Sequence, residues 1–293
     1  MKILQKNQIT ERKNQNFAID ELIGIEESES LILYYGQTIW KILSICKPKA
    51  TIHIGLVAVH LYKFFCLNTP IFKYDCKIAA IACVFLAAKL ENGYQVYLRQ
   101  LCKGIKGVNE ESIKECEILI LQGNDYELYI KTPWLPLLAL HNDFEFSNDE
   151  SYKEAVNYLK LTLRGDIIYV ENPSKLATAC YLAAIDNNQE LLEHFTTYLE
   201  KKYILAKNSD IIDTSFAQWL KELNKIVAVM RKDVNFDNLK DINTRITDYR
   251  LEFNKNQLKN AKENEPRNTT TTLGNKRSIP SPQSGGNSKS RKH

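Results

Sequence analysis

Cysteine and histidine are the side chains of this sequence best suited to hold a metal or attack a substrate, and neither type forms a recognisable site. The seven cysteines include no C-x-x-C pair, and their spacing offers no zinc site. Most of them lie in apolar segments, where a free thiol packs like a small hydrophobic side chain. Their odd number and their positions predict free thiols in a reducing compartment. His53 and His60 lie seven residues apart in one predicted helix, and we expect packing or surface roles for both.

Motifs of known catalytic mechanisms are missing from the sequence. It contains no G-x-x-x-x-G-K-[ST] loop, no G-x-S-x-G turn and no H-E-x-x-H helix. The glycines Gly104 and Gly107 predict a loop rather than a phosphate site. We therefore predict a protein that is not an enzyme, with no metal and no cofactor.

Lys89 is the ionisable residue with the most informative position. It directly follows eleven uncharged residues, 78–88, and the end of this stretch (CVFLAA) is echoed by ACYLAA at 179–184, at an offset of 96 residues. The residues after the two copies differ, since Lys-Leu-Glu follows the first and Ile-Asp-Asn the second. A residue needed only for packing should occur in both copies, so Lys89 indicates a function specific to the first. The alternative is a lysine that simply extends from a helix end and interacts favourably with the helix dipole.

Helices must position these residues, because no segment shows strand alternation with turn signals. A helix that is apolar on every side, such as the one over 74–91, must be surrounded by other helices. Asn109 is a suitable N-cap for the last helix of the first copy, which should run to residue 122. The pattern predicts an all-α fold of two tandem five-helix domains. The other predicted helices span 29–46, 51–67, 96–105, 151–164, 189–203, 214–231 and 240–263.

Composition divides the chain further. The net charge is +4, and the segment 266–293 holds six Lys or Arg and no acidic residue, which leaves about −2 on the rest. That tail is too poor in apolar residues to offset the entropy of ordering. No uncharged apolar run approaches the roughly 18 residues of a membrane span, and the N-terminus does not resemble a signal peptide. The predicted divisions are a flexible N-terminus (1–16), a first domain (17–131), a linker rich in Pro, Asn and Asp (132–150), a second domain (151–233), a helical extension (234–265) and a disordered basic tail (266–293).

The first domain resembles the cyclin box. The segment 79–91, with IACVFLAAKLE inside it, resembles the third helix of that box. The segment 117–122 (EILILQ) resembles its fifth helix, and 126–133 (YELYIKTP) resembles the stretch after that helix. The segment 17–22 (FAIDEL) resembles the start of cyclins T and K, which are of the transcription type. The resemblance covers roughly 17–230 and is stronger in the first domain than in the second.

The resemblance implies a protein kinase as partner. In the cyclin family, the lysine that ends the third helix and a glutamate of the fifth helix bind backbone groups near the regulatory helix of the kinase. A lysine offers three donors and a glutamate two acceptor oxygens, so together they suit both kinds of backbone group. The matching residues here are Lys89 and Glu117, and the apolar family contacts map onto Leu86, Leu90, Leu121, Tyr126 and Leu128.

The function implied is that of a regulatory subunit which binds and activates a cyclin-dependent kinase, in a nuclear complex acting on the transcription machinery such as the RNA polymerase II tail. The basic pairs of the tail, such as Lys276-Arg277, are compatible with nuclear import, with a weak nucleic-acid contact or with an idle solubilising tail. Asn92 and Asn124-Asp125 depart from the family pattern and leave open a cyclin-like adaptor that activates no kinase. A DNA-binding scaffold like transcription factor IIB is the remaining alternative. It is disfavoured by the near-neutral body and by the absence of cysteine pairs before Cys46, so nucleic acid is not an expected partner. The first helix lacks the M-R-A-I-L-type patch of cell-cycle cyclins, which argues against a cell-cycle role.

Overall fold

Helices build the described part of the chain, which contains no strand and one isolated bridge between Ile19 and Ile23. The all-α expectation is confirmed. The computed structural model describes residues 3–19, 22–46, 51–92, 96–207, 215–234 and 236–263. The helices are α1 (Lys6–Asn16), α2 (Ile25–Ile45), α3 (Ile52–Asn68), α4 (Cys76–Leu90), α5 (Leu98–Gly104), α6 (Glu110–Gly123), α7 (Trp134–Asp143), α8 (Asp149–Leu161), α9 (Ile167–Val170), α10 (Pro173–Ile185), α11 (Gln189–Lys207), α12 (Phe216–Arg231) and α13 (Leu239–Glu263), with a 3₁₀ turn at Ile71–Lys73.

Helices α2–α6 form the first of two groups, called here the first set, and α4 lies at its centre. The carboxylate of Asp75 caps it by accepting the backbone N–H groups of Lys77 and Ile78 at 2.8 and 3.1 Å. It contacts α2, α3 and α6, and its residues from Ala79 to Val84 are fully buried. The small alanines of this helix let these neighbours approach closely. The predicted hub helix is therefore confirmed.

Helix α10 has the same role in the second set, α7–α12. Asn172 caps it, and Pro173 occupies the first helical position, where the missing N–H costs no hydrogen bond. It contacts α7, α8, α11 and α12. The apolar core divides into two clusters, one around α4 and one around α10, with Leu56 of α3 in the second and Tyr169 of α9 in the first. Two hub helices, each with its own cluster, confirm the two tandem helical domains.

Helix α7 lies inside the range that composition assigns to the linker. Its Leu137 is fully buried in the second core, and the helix contacts α10. The two prolines that suggest a linker, Pro133 and Pro136, fall at the N-cap and in the first turn, where proline is tolerated. The range 132–150 therefore supplies a helix of the second set.

Helix α1 corrects the expectation of a flexible N-terminus over 1–16. Its Ile9 is 2% exposed, and the Lys13 ammonium lies 2.5 Å from Glu29 of α2 and 2.7 Å from Asp166 ahead of α9. These two carboxylates raise the pKa of Lys13 against the effect of its burial. Ile9 is the buried residue of this helix, and polar contacts with both sets add to its packing. A single buried residue makes no apolar stripe that sequence reading could detect.

Helix α13 binds the first set. Ile242 and Ile246 are buried in the first core. The Arg245 guanidinium donates to the Leu22 carbonyl and to the Glu27 carboxylate, both at 2.6 Å. The range predicted as an extension, 234–265, contains helix α13, and up to Glu252 this helix belongs to the same compact unit as the two sets. The later part of α13 belongs to a separate unit, and the tail predicted to be disordered lies outside the described residues.

Lys63 joins the two sets. Its side chain is 8% exposed, its ammonium donates to the Gly165 carbonyl at 3.1 Å, and it lies 4.9 Å from the centre of the Tyr169 ring. The Tyr169 hydroxyl in turn donates to the Lys63 carbonyl at 3.0 Å. Burial lowers the pKa of this ammonium. A charge buried between the sets is costly unless it is paired, so these contacts fix how the sets lie against each other.

Candidate functional site

Lys89 and Glu117 meet at one end of the first set. Lys89 lies in the last turn of α4 and Glu117 near the middle of α6, and the distance from Nζ to Oε1 is 2.5 Å. The Lys89 side chain is 48% exposed and that of Glu117 is 13% exposed. The ammonium also lies over the Phe85 ring, 4.4 Å from its centre. The two residues that the resemblance selects therefore form one polar pair at the surface.

The sequence of α6 explains why Glu117 faces α4. Asn109 caps this helix as predicted, accepting the Ser112 N–H at 2.8 Å. The buried residues Ile113, Cys116 and Ile120 recur every three to four positions and form the face against α4. Glu117 follows Cys116 directly, so it lies at the border of the buried face, where its carboxylate reaches the surface beside α4.

The apolar residues expected around the pair divide into core and surface. Leu86 is 4% exposed and belongs to the first core. Leu90, Leu121 and Leu128 are half-buried against that core. Tyr126 is 65% exposed. Leu86 is thus a core residue, while the other four residues keep part of their apolar surface accessible.

Two exposed residues of α6 were missed by sequence reasoning. Ile118 is 56% and Leu119 is 39% exposed. The sequence could have revealed them, because apolar residues that lie between the buried positions of α6 must face away from the core. Tyr129, three positions after Tyr126, is 74% exposed. Exposed apolar groups beside a polar pair are typical of a protein interface.

The unusual corner after α6 is firmly held. Asn124 is 4% exposed and donates from its side chain to the Leu61 carbonyl of α3 at 3.3 Å. Asp125 and Tyr126 have φ values of 52° and 57°, in the left-handed region that ends helices, and the Tyr126 N–H donates to the Leu121 carbonyl at 2.8 Å. The departure from the family pattern at this corner therefore gives Tyr126 a defined position.

A further polar contact lies just past Lys89. The Nε2 atom of His53, in the first turn of α3, is 3.0 Å from Oε2 of Glu91. Its Nδ1 atom is 3.3 Å from the hydroxyl of Thr132, which is 6% exposed. Sequence reasoning expected His53 to be a packing or surface residue, and the structure gives it these two partners.

The cysteines and the potential metal ligands of the described residues form no further site. Six of the cysteines are buried and Cys102 is half-buried, and all are free thiols. Burial raises the pKa of the Cys66 thiol to about 12, which disfavours the reactive thiolate. Among the described residues no three His, Cys, Asp or Glu side chains are placed to hold a metal ion. No helix in the described ranges has the length and apolarity to cross a membrane.

Comparison with known proteins agrees with this fold. Residues 45–129, which include Lys89 and Glu117, match the family model described as the cyclin N-terminal domain. Cyclin mcs2 of Schizosaccharomyces pombe is 27% identical over 163 residues, which are 53% of this chain and 50% of the relative. Cyclin-H of Xenopus laevis is 23% identical over 227 residues, 67% of this chain and 70% of the relative. The chain thus spans half the length of the first of these relatives.

Two solved structures share the fold. A chain of the CAK complex of Chaetomium thermophilum bound to ATP-gamma-S superimposes with a TM-score of 0.65 at 13% identity, covering 92% of this chain and 94% of that one. A chain of the yeast TFIIK (Kin28/Ccl1/Tfb3) complex gives a TM-score of 0.60 at 19% identity, covering 78% and 95%. The chain therefore shares its two-domain helical fold with these chains. The resemblance to the cyclin family is confirmed, since residues 45–129 match the model of the cyclin N-terminal domain and the relatives named above are cyclins.

Proposed function

We propose that this chain is a regulatory subunit that binds and activates a cyclin-dependent protein kinase through the end of the first set. The observation that carries the proposal is the Lys89–Glu117 pair, whose lysine is 48% exposed and which lies inside the segment that matches the cyclin N-terminal domain. Ile118, next to Glu117 in the sequence, and Tyr126, just after α6, are exposed apolar residues of the same segment. A polar pair surrounded by apolar area has the composition of an interface centre.

Activation by this surface follows from differential binding. An active kinase needs the glutamate of its regulatory helix paired with the lysine that contacts the ATP phosphates. A subunit that binds that arrangement more tightly than the inactive one increases its population. Lys89 can donate to carbonyl groups of the regulatory segment and Glu117 can accept from its N–H groups. In this mechanism the chain contributes no catalytic residue.

The kinase is proposed to act in transcription, in the nucleus, with the RNA polymerase II tail as substrate. The support is the similarity to Cyclin-H and Cyclin mcs2, and to chains of the CAK and TFIIK complexes. The basic pairs that suggest nuclear import lie outside the described residues.

The test begins with the tagged chain isolated from its native cells, compared with a Lys89→Ala/Glu117→Ala variant. We expect the wild type to bring down one protein kinase in stoichiometric amount, active on a peptide of the polymerase tail, and the variant to lose it. The control is Lys175→Ala/Glu222→Ala, which removes a pair of similar length in the second set (2.6 Å between α10 and α12).

Three outcomes contradict the proposal. Equal kinase recovery with both variants would reject the assigned site. A stable complex that contains no kinase would indicate the adaptor alternative. Salt-sensitive binding to duplex DNA by the purified chain would indicate the scaffold alternative.

A further inference from the structure

We propose that His53 is a positioning residue of the kinase-binding surface. It binds Glu91, the C-cap residue that directly follows α4, and thereby fixes the last turn of α4, which carries Lys89. The inference rests on the proposed function, since it assigns a second residue to the same site.

The end of α4 needs such a partner. Glu91 is the C-cap residue, its N–H donates to the Ala87 carbonyl at 3.0 Å, and Asn92 leaves the helix with a φ of 51°. A carboxylate at a helix C-terminus meets the negative end of the helix dipole, which is unfavourable. The His53 N–H, 3.0 Å away, offsets that repulsion and connects the carboxylate to another helix.

The helix that provides His53 is well suited to hold this position. Every residue of α3 from Ile54 to Leu67 is buried, so its backbone is fixed by packing on all sides. His53 lies at the second position of this helix, directly before the buried stretch. A side chain anchored there can transmit the position of the core to the surface turn that ends in Glu91.

The second ring nitrogen of His53 completes the arrangement. Thr132, whose hydroxyl is 3.3 Å from Nδ1, directly precedes Pro133, the cap of α7. A neutral ring that donates from Nε2 to Glu91 accepts at Nδ1 from this hydroxyl. His53 thus connects the end of α4 to the segment that leads into the second set.

Two substitutions separate the contacts of His53. In His53→Gln the amide nitrogen takes the place of Nε2 and can still donate to Glu91, whereas in His53→Asn the shorter amide takes the place of Nδ1 and reaches only Thr132. We expect the Gln variant to bind the kinase recovered with the wild-type chain at near wild-type affinity. The Asn variant should bind the kinase about ten-fold more weakly than the wild type, because it loses one hydrogen bond to a charged group. Dissociation constants of the purified proteins measure this difference.

If His53 had a purely structural role, the loss of kinase affinity in each variant would follow its loss of thermal stability. Melting temperatures are therefore measured for both variants. Affinity losses that follow the melting temperature, or equal affinities of the Gln and Asn variants, overturn the inference. The Glu91→Ala variant should bind weakly by itself, and adding His53→Asn to it should cause no further loss. An additive further loss contradicts action through Glu91.

The Lys89→Ala variant distinguishes the two levels of the proposal. If Lys89→Ala binds the kinase weakly and His53→Asn binds it normally, the role of His53 is rejected and the assigned site is retained. Normal binding by Lys89→Ala rejects the assigned site, and the role of His53 with it. His194→Asn, an exposed histidine of α11, is the matched control and should bind normally.

Discussion

Arg245 of α13 lies 2.6 Å from Glu27 in the first turn of α2, measured from Nη2 to Oε1, although 218 positions separate the two residues. The hydrogen bond from Arg245, with a second from the Gly24 N–H, lowers the pKa of the Glu27 carboxyl. This contact fastens the last helix to the first set and makes its attachment sensitive to acid.

The Glu27→Gln variant should be less stable than the wild type at neutral pH, by no more than about 1 kcal/mol because the pair is partly exposed. A carboxyl with a lowered folded-state pKa stabilises the fold above its unfolded value, near 4.5, and loses that contribution as the pH falls through the folded value. Urea unfolding at pH values on both sides of 4.5 measures the difference between the two proteins. Glu26→Gln, at the exposed neighbouring position, is the control, and a difference that persists in acid contradicts the assignment.

Alanine substitution at Leu86 should affect the stability of the fold, and alanine substitution at Tyr126 should affect the affinity for the kinase. Leu86→Ala removes a side chain that is 4% exposed, so it should lower the free energy of unfolding by about 2–5 kcal/mol. Tyr126→Ala removes one that is 65% exposed, so its stability should change by less than about 1 kcal/mol while kinase affinity falls about ten-fold. Denaturant unfolding and dissociation constants of the two variants separate these effects. Unchanged kinase binding by Tyr126→Ala would remove Tyr126 from the interface.

His60 should make the protein acid-sensitive. The residue is buried in α3, its Nδ1 lies 2.9 Å from the Leu56 carbonyl, and burial lowers its pKa from 6.5 to about 4. Between these values the unfolded chain binds a proton that the folded chain does not, so stability falls as the pH decreases from 6.5. The loss relative to a His60→Leu variant should approach about 3 kcal/mol at the lower value. Parallel stability curves of the two proteins across this range would contradict the prediction.

Gly55 allows α3 to approach α2 closely. A Cβ atom at this position would lie 2.2 Å from Cζ3 of Trp40 and 2.6 Å from Cδ1 of Leu43. Gly55→Ala should therefore destabilise the fold by about 1–3 kcal/mol or more, because the rigid indole must shift. Gly24→Ala is the control, since its Cβ would meet only the Glu27 carboxylate at 3.8 Å. Thermal unfolding compares the two variants. Similar melting temperatures would show that the contact with Trp40 does not prevent a side chain at position 55.

The elements predictable from sequence were those whose signal is local. The apolar run 78–88 required a surrounded helix, and Asn109 marked a helix start, because burial and capping leave patterns within a few residues. The site was predictable because Lys89 breaks the symmetry of the duplicated segment and because the family resemblance supplies Glu117. Their separation of 2.5 Å across two helices then follows from the fold.

The elements that sequence did not reveal depend on distant partners. Helix α1 is held by its buried Ile9 and, through Lys13, by Glu29 and Asp166, so its sequence shows a polar segment without an apolar stripe. Helix α13 has a visible apolar stripe, but no pattern states which surface it covers. The contacts of His53 with Glu91 and Thr132 likewise join three separate segments. Such contacts are determined by tertiary structure and leave no periodic mark in the sequence.

The buried position of Ile242 and Ile246 in the first core has a consequence for synthesis on the ribosome. A chain grows from its N-terminus, and domains generally fold as they emerge. Here the first domain lacks part of its core until the second domain has been made and α13 has left the exit tunnel. The nascent first domain therefore exposes an apolar surface throughout the translation of about a hundred further residues, the interval in which a chaperone would be most useful.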